Sequence, residues 1–165
     1  EWTREALTPA HAAFLRQLPS GPLTLPGFEI VHGSVQDEDK YVMDAAEAVP
    51  ALRSQQVQLV FFGHTHYQGG FGLDKAGKLY HWSVGSNKEG CVLRAELESG
   101  TRYLLNPGSV GQPRDGNWRA GFAIFDETER RVDFYRTEYD LAKTQEKMSQ
   151  AGLPEPLIRR LKEGR

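Results

Sequence analysis

Two largely apolar runs that each break off at glycine and histidine constrain this chain most. Phe28 to Val31 leads into His32-Gly33-Ser34, and Val57 to Phe62 leads into Gly63-His64-Thr65-His66. Short apolar runs bounded by turn residues read as buried strands, and the glycines permit a sharp turn where each run ends. Three histidines therefore stand at the carboxyl ends of strands. In an extended segment residues two apart point to the same side, so His64 and His66 are expected to offer both imidazoles to one pocket.

The rest of the chain supports a mixed α/β fold. Thr8-Pro9 is a helix start, with a hydroxyl cap followed by a residue whose missing N–H costs nothing in the first turn. From Asp39 the apolar positions Tyr41, Val42, Ala45, Ala46 and Val49 recur at helical spacing. Leu23 to Leu25 reads as a short strand. Phe71 to Leu105 alternates apolar and polar residues between turn signals at 74–78 and 98–101, which predicts antiparallel strands. Gly121–Phe125 and Arg131–Tyr135 read as a hairpin, and helices are expected from Tyr139 onward. No repeat or low-complexity linker interrupts the 165 residues, so they form one unit.

Composition narrows the function classes. Twenty basic and twenty-two acidic side chains give a formal charge of −2, which offers no phosphate-tracking or membrane-seeking surface. No apolar run approaches the roughly 18 residues of a spanning helix. The single cysteine, Cys91, forms no internal disulfide, and a cytoplasmic setting is the expectation. The opening Glu1-Trp2-Thr3-Arg4 carries no methionine and reads as the middle of a helix or linker.

Clustered imidazoles suit zinc, iron, manganese and related divalent ions, but neutral donors alone leave such an ion's charge uncompensated. The nearby acids Asp37, Asp39 and Asp44 fall in a loop or early helix and are not read as ligands. His11 and His81 lack the glycine-flanked setting and are read as ordinary polar residues. A second constellation runs from Asn106 to Gly116, where three glycines and two prolines around Arg114 and Asp115 can hold backbone N–H groups facing a site. Arg114 presents a planar fork matched to phosphate. The competing role for Arg114 is structural, bonded to Asp115 or to a carbonyl.

These motifs, in this order, resemble the calcineurin-like metallophosphoesterases, particularly the small bacterial phosphodiesterase-like branch. Gly63-His64-Thr65-His66 resembles the family's last ligand motif, Val31-His32-Gly33 the preceding one, and Asn106 to Gly116 the branch's characteristic loop. The resemblance implies two mixed β-sheets packed as a sandwich flanked by helices. It also implies two divalent ions (manganese, iron, zinc or nickel), with His32 and His64 on one and His66 on the other. Asn106 and Arg114 would face a small phosphorylated substrate or nucleotide.

The family's Asp-x-His, Gly-Asp-x-x-Asp and Gly-Asn-His motifs are not found in this chain. Residues 1–165 are therefore expected to be the C-terminal part of one such domain, with the bridging aspartate and catalytic histidine upstream of Glu1. Sheet edges and apolar faces would then need cover from a partner or a second copy, giving a homo-oligomer. The intact enzyme, rather than this chain alone, is expected to hydrolyse phosphoesters. A non-catalytic interaction module on the same fold, like the retromer subunit, is the alternative, and the retained histidines speak against it. A metallo-β-lactamase-like hydrolase also uses a His-x-His pair, but it calls for Asp-His next, where this chain has Tyr67-Gln68.

Overall fold

The computed structural model describes residues 2–84 and 89–165; Glu1 and the stretch 85–88, inside the span read as strands, lie outside the described residues. Helix α1 (Trp2–Ala6) is followed by α2 (Pro9–Gln17), where the Thr8 hydroxyl accepts from the His11 N–H at 3.2 Å. Neither helix buries a residue, and Phe14 of α2 and Leu18, which caps its end, stay exposed. Strands β1 (Leu23–Leu25) and β2 (Phe28–Ile30) pair antiparallel.

Helix α3 (Ala45–Ser54) begins later than the apolar spacing from Asp39 suggests. Asp44 caps it, accepting from the N–H groups of Ala46 and Glu47, while the Glu47 carboxylate reaches back to the Met43 N–H at 2.8 Å. Two capping interactions at one point set the boundary, so Tyr41 and Val42 lie in the approach to the helix and not in it.

Strands β3 (Leu59–Phe61), β4 (Gly69–Leu73), β5 (Leu79–Ser83), β6 (Gly90–Glu96) and β7 (Arg102–Asn106) follow. The hairpin β8 (Ala120–Asp126) and β9 (Arg131–Thr137) precedes α4 (Leu141–Gln150) and α5 (Glu155–Glu163). Six strands form one sheet in the order β1-β2-β3-β7-β4-β5, and three form a second in the order β6-β9-β8. The span Phe71–Leu105 is thus not one antiparallel set: β6 joins the second sheet, and β7 runs parallel to β3 while pairing antiparallel with β4. Alternation identifies a strand with one covered face but says nothing about its neighbour.

Two cores hold the layers together. Val60, Phe62, Phe71 and Leu104 pack with Ala48, Ala51 and Leu52 of α3 on one face of the larger sheet. Leu59, Tyr103 and Leu105 pack with Ala95, Val132 and Phe134 of the smaller sheet on the other. Neighbouring residues such as Leu104 and Leu105 are both fully buried because the period-two pleat sends them to opposite covered faces. Where β4 enters this sheet it needs glycine. A Cβ on Gly70 would stand 2.3 Å from the Leu104 carbonyl oxygen, at a φ of +146°.

Candidate functional site

Strands β2, β3 and β7 are mutually parallel, so their carboxyl ends lie at one edge of the sheet. His32, the turn Gly63–His66 and the loop beginning at Asn106 leave from that edge. In open α/β sheets this is where ligands collect, because the chain turns away and exposes side chains and backbone dipoles there. The three exits are stitched together by the hydrogen bonds Val31 N–H to Phe61 O (2.9 Å), Gly63 N–H to His32 O (2.8 Å) and Phe62 N–H to Leu105 O (2.9 Å).

His64 and His66 are not extended, as the same-side expectation assumed. Their φ values are +59° and +60°, in the left-handed region that a side chain seldom adopts. Between them Thr65 is buried, and its hydroxyl accepts from the Asn106 amide at 2.9 Å and from the Tyr67 N–H at 3.2 Å. Left-handed residues on either side of an inward threonine keep both imidazoles outside the sheet. Such strain persists only where the surroundings over-determine it.

The His32 and His64 rings lie 4.6 Å apart between centroids, and Tyr41 covers the other side of His64 at 3.9 Å. His64 Nε2 donates to the Asp39 carbonyl at 3.0 Å, and His66 Nδ1 donates to the Gln112 carbonyl at 2.7 Å. A carbonyl can only accept, so those nitrogens carry the protons, leaving the lone pairs on Nδ1 of His64 and Nε2 of His66. Burial holds the His66 pKa below the usual imidazole value. The hydrogen bond to Gln112 opposes this, while the charges of Arg114, His64 and His32 push it lower still. The ring is therefore neutral at neutral pH.

Asn106 has an inward role. Its side chain is almost fully buried, and its amide donates to the Gly63 carbonyl and the Thr65 hydroxyl while its oxygen accepts from the Gly108 N–H at 2.9 Å. Arg114 donates to the Gln112 side chain at 3.3 Å, while its Nε is buried without a partner. Asp115 pairs with Arg136 and not with Arg114. Arg114 lines a cleft of about 510 Å³ with Tyr67, Asp115, Gly116 and Arg165, next to His66, whose carbonyl accepts from the Arg114 N–H. A larger cleft of about 640 Å³ lies at the opposite end of the sheet, around Arg53, Lys75 and Arg102, and contains no histidine.

The acids near the histidines have other duties. Asp44 caps α3, Asp37 accepts from the Asp39 N–H at 3.0 Å, and Asp39 approaches His64 only through its carbonyl. Sequence reasoning missed Gln68 and Arg136, and offered Asp115 only as a partner for Arg114. Gln68 donates to the carbonyls of Pro107, Phe122 and Tyr135, and its oxygen accepts from Arg136 Nε at 2.8 Å. Only the nearness of Gln68 to His66 could have drawn attention to it; Arg136 sits in an ordinary hairpin strand.

In structure comparison the chain superposes on a metallophosphoesterase from Sphaerobacter thermophilus with a TM-score of 0.84 and 35% identity over 99% of its residues. The chain has a metallophosphoesterase-like fold. A hypothetical protein from Pyrococcus horikoshii shares the fold with a TM-score of 0.68 and 22% identity, again over 99% of this chain. In sequence, an uncharacterized protein of Methanocaldococcus jannaschii is 39% identical over 112 residues, which are 65% of this chain. No family model matches. The chain spans 66% of the Sphaerobacter protein, 57% of the Pyrococcus protein and 40% of the Methanocaldococcus protein.

The donor set fits one part of the metal site such a fold implies. Neutral imidazoles whose second nitrogens are held by carbonyls are the usual form of histidine ligands, because the outer hydrogen bond sets tautomer and ring direction. Among the described residues, however, no three histidine, cysteine or carboxylate side chains converge closely enough to hold an ion.

Proposed function

We propose that this chain carries the histidine-rich part of a metal-dependent phosphoesterase site, with His32, His64 and His66 as ligands and Arg114 as the contact to substrate phosphate. The observation that carries the reading is the pair of carbonyl-locked imidazoles at the carboxyl edge of a sheet, in a chain 35% identical to a metallophosphoesterase. Two divalent ions, of manganese, iron, zinc or nickel, would supply an activated water and neutralise the phosphoryl oxygens during in-line displacement. Asp39 and Gln112 carbonyls hold the imidazoles in the tautomers that leave a lone pair free. Arg114 donates from Nη2 to the Gln112 side chain, and its planar fork has further N–H donors to offer a phosphate oxygen.

Carboxylates to balance the ions' charge and a proton donor for the leaving group belong, in this proposal, to polypeptide outside the described residues. The substrate class is a small phosphodiester, phosphomonoester or nucleotide. The alternative reading, a non-catalytic module on the same fold, is favoured by one observation, the lack of a converging set of three ligands among the described residues.

Equilibrium dialysis of the purified chain against zinc or manganese, followed by elemental mass spectrometry, separates the two. Binding that is lost in both His64→Ala and His66→Ala supports the metal site. Wild-type chain that binds nothing, or variants that bind as well as wild type, would sink it. Hydrolysis of a chromogenic phosphodiester, assayed with the same ions in a protein carrying the complete site, should fall by at least a hundredfold in either variant, consistent with loss of a Lewis-acid ligand. Arg114→Ala should raise KM more than it lowers kcat.

A further inference from the structure

We propose that Arg136, in strand β9 of the smaller sheet, is a positioning residue for His66, an inference that rests on the reading of His66 as a ligand. His66 is gripped twice by the segment that follows β7. Its ring donates to the Gln112 carbonyl at 2.7 Å, and its own carbonyl accepts from the Arg114 N–H at 3.3 Å. That segment contains no regular structure of its own, so something outside it must fix its height above the sheet.

Asp115 does so. One carboxylate oxygen accepts both from the Gln68 N–H at 3.1 Å and from Arg136 Nη2. The guanidinium is spread in a plane across three further partners. Its Nε donates to Gln68 Oε1 at 2.8 Å, and its Nη1 donates to the Arg119 carbonyl at 3.0 Å and more weakly to that of Asn117. The Arg136 side chain is 0% exposed and that of Asp115 is 7% exposed. One cation thereby joins the turn that carries His66, the loop that holds its ring and the smaller sheet.

Buried ion pairs contribute little net stability, since desolvation offsets their attraction, and a geometric role is the better reason for this one. A planar five-donor fork is needed to reach these partners at once, which an ammonium cannot do. The strained φ of +60° at His66 requires constraint from several sides, and the Arg136–Asp115–Gln68 network supplies it.

The test uses two variants of the metal-free chain. Arg136→Lys keeps the charge and loses the fork; the double variant Arg136→Met with Asp115→Leu removes both charges, a change buried pairs tolerate without unfolding. The readout is the ¹⁵N shift of each His66 ring nitrogen at alkaline pH, where the imidazole is neutral. Wild type should show the Nδ1–H tautomer, and folded variants should relax towards the Nε2–H form that free imidazole side chains favour. Zinc affinity by equilibrium dialysis should fall by about ten- to a hundredfold. An unchanged tautomer in a folded variant, or a wild type that already holds Nε2–H, overturns the proposal. If wild type binds no zinc but the tautomer shifts as expected, positioning stands and the metal reading falls. If zinc binds equally well to wild type and variants, the metal reading stands and positioning falls.

Discussion

At the scale of single residues, the structure turns several polar side chains inward that a sequence would place facing solvent or substrate. Asn106 is the clearest case. Truncating it to alanine would leave the Gly108 N–H without its acceptor and would take one hydrogen bond each from the Gly63 carbonyl and the Thr65 hydroxyl, which keep those from the Thr65 and Tyr67 N–H groups. A donor left without its partner costs about 1–3 kcal/mol and each further lost hydrogen bond about 1 kcal/mol, so Asn106→Ala is expected to lower the unfolding free energy by roughly 3 kcal/mol in urea titration. Asp133 makes a different kind of prediction. The hydrogen bond from Arg94 at 2.5 Å holds its carboxyl below the usual value against the opposing effect of burial, with Arg131 adding to the depression. A carboxyl depressed in the folded state contributes stability that is fully present above its unfolded pKa of about 3.9 and is lost as pH falls through the lower folded value. Asp133→Asn should therefore be less stable than wild type at neutral pH, with the gap closing under acid denaturation below about pH 4. A gap constant with pH would show that the ion pair is not its source.

At the scale of elements, boundaries follow from local chemistry and partners do not. Helix α3 is set at its start by Asp44 and Glu47, and at its end the Leu52 and Arg53 carbonyls accept from Arg102 of β7. Asp44→Ala should cost about 1 kcal/mol, read as a lowered Tm. Pro50 lies inside this helix and donates no N–H. Replacing it with alanine gains about 3 kcal/mol of helix propensity, offset by about 1 kcal/mol through a more flexible unfolded chain, so Pro50→Ala should raise the urea midpoint. A lowered midpoint would mean the ring packs against something that alanine cannot replace. The strands were legible as strands because apolar residues alternate or run continuously in them. Their assignment to sheets was not, because β6 and β7 carry similar local patterns and differ only in which distant residues cover them.

At the scale of the whole molecule, one apolar region stays open between the sheets. A cleft of about 440 Å³ is lined by Phe28, Ile30, Phe61, Ala123 and Phe125, beside β8, which ends the smaller sheet in the order given above. Ile30 is 40% exposed. An open strand edge next to apolar surface invites association. Light scattering against concentration should show self-association of the chain, reduced in Ile30→Lys while the urea midpoint holds; a scattering curve unchanged by the lysine would exonerate this face. Among the described residues no helix is long and apolar enough to cross a membrane.

The sequence by itself determined what depends on a few neighbouring residues. Thr8 announces a helix start, glycines break the strands, and the histidines stand at those breaks, so the mixed α/β class and the positions of His32, His64 and His66 at strand ends could be read directly. Tertiary structure alone decided that β3 and β7 run parallel and bring their loops to one edge, that His64 and His66 adopt left-handed torsions, and that Arg136 reaches Asp115 across 21 positions. The reason is physical. Caps and turns are hydrogen-bonded within a turn of chain and leave a local imprint, whereas strand register and buried charge pairs are chosen by partners distant in sequence and are selected only when the core closes.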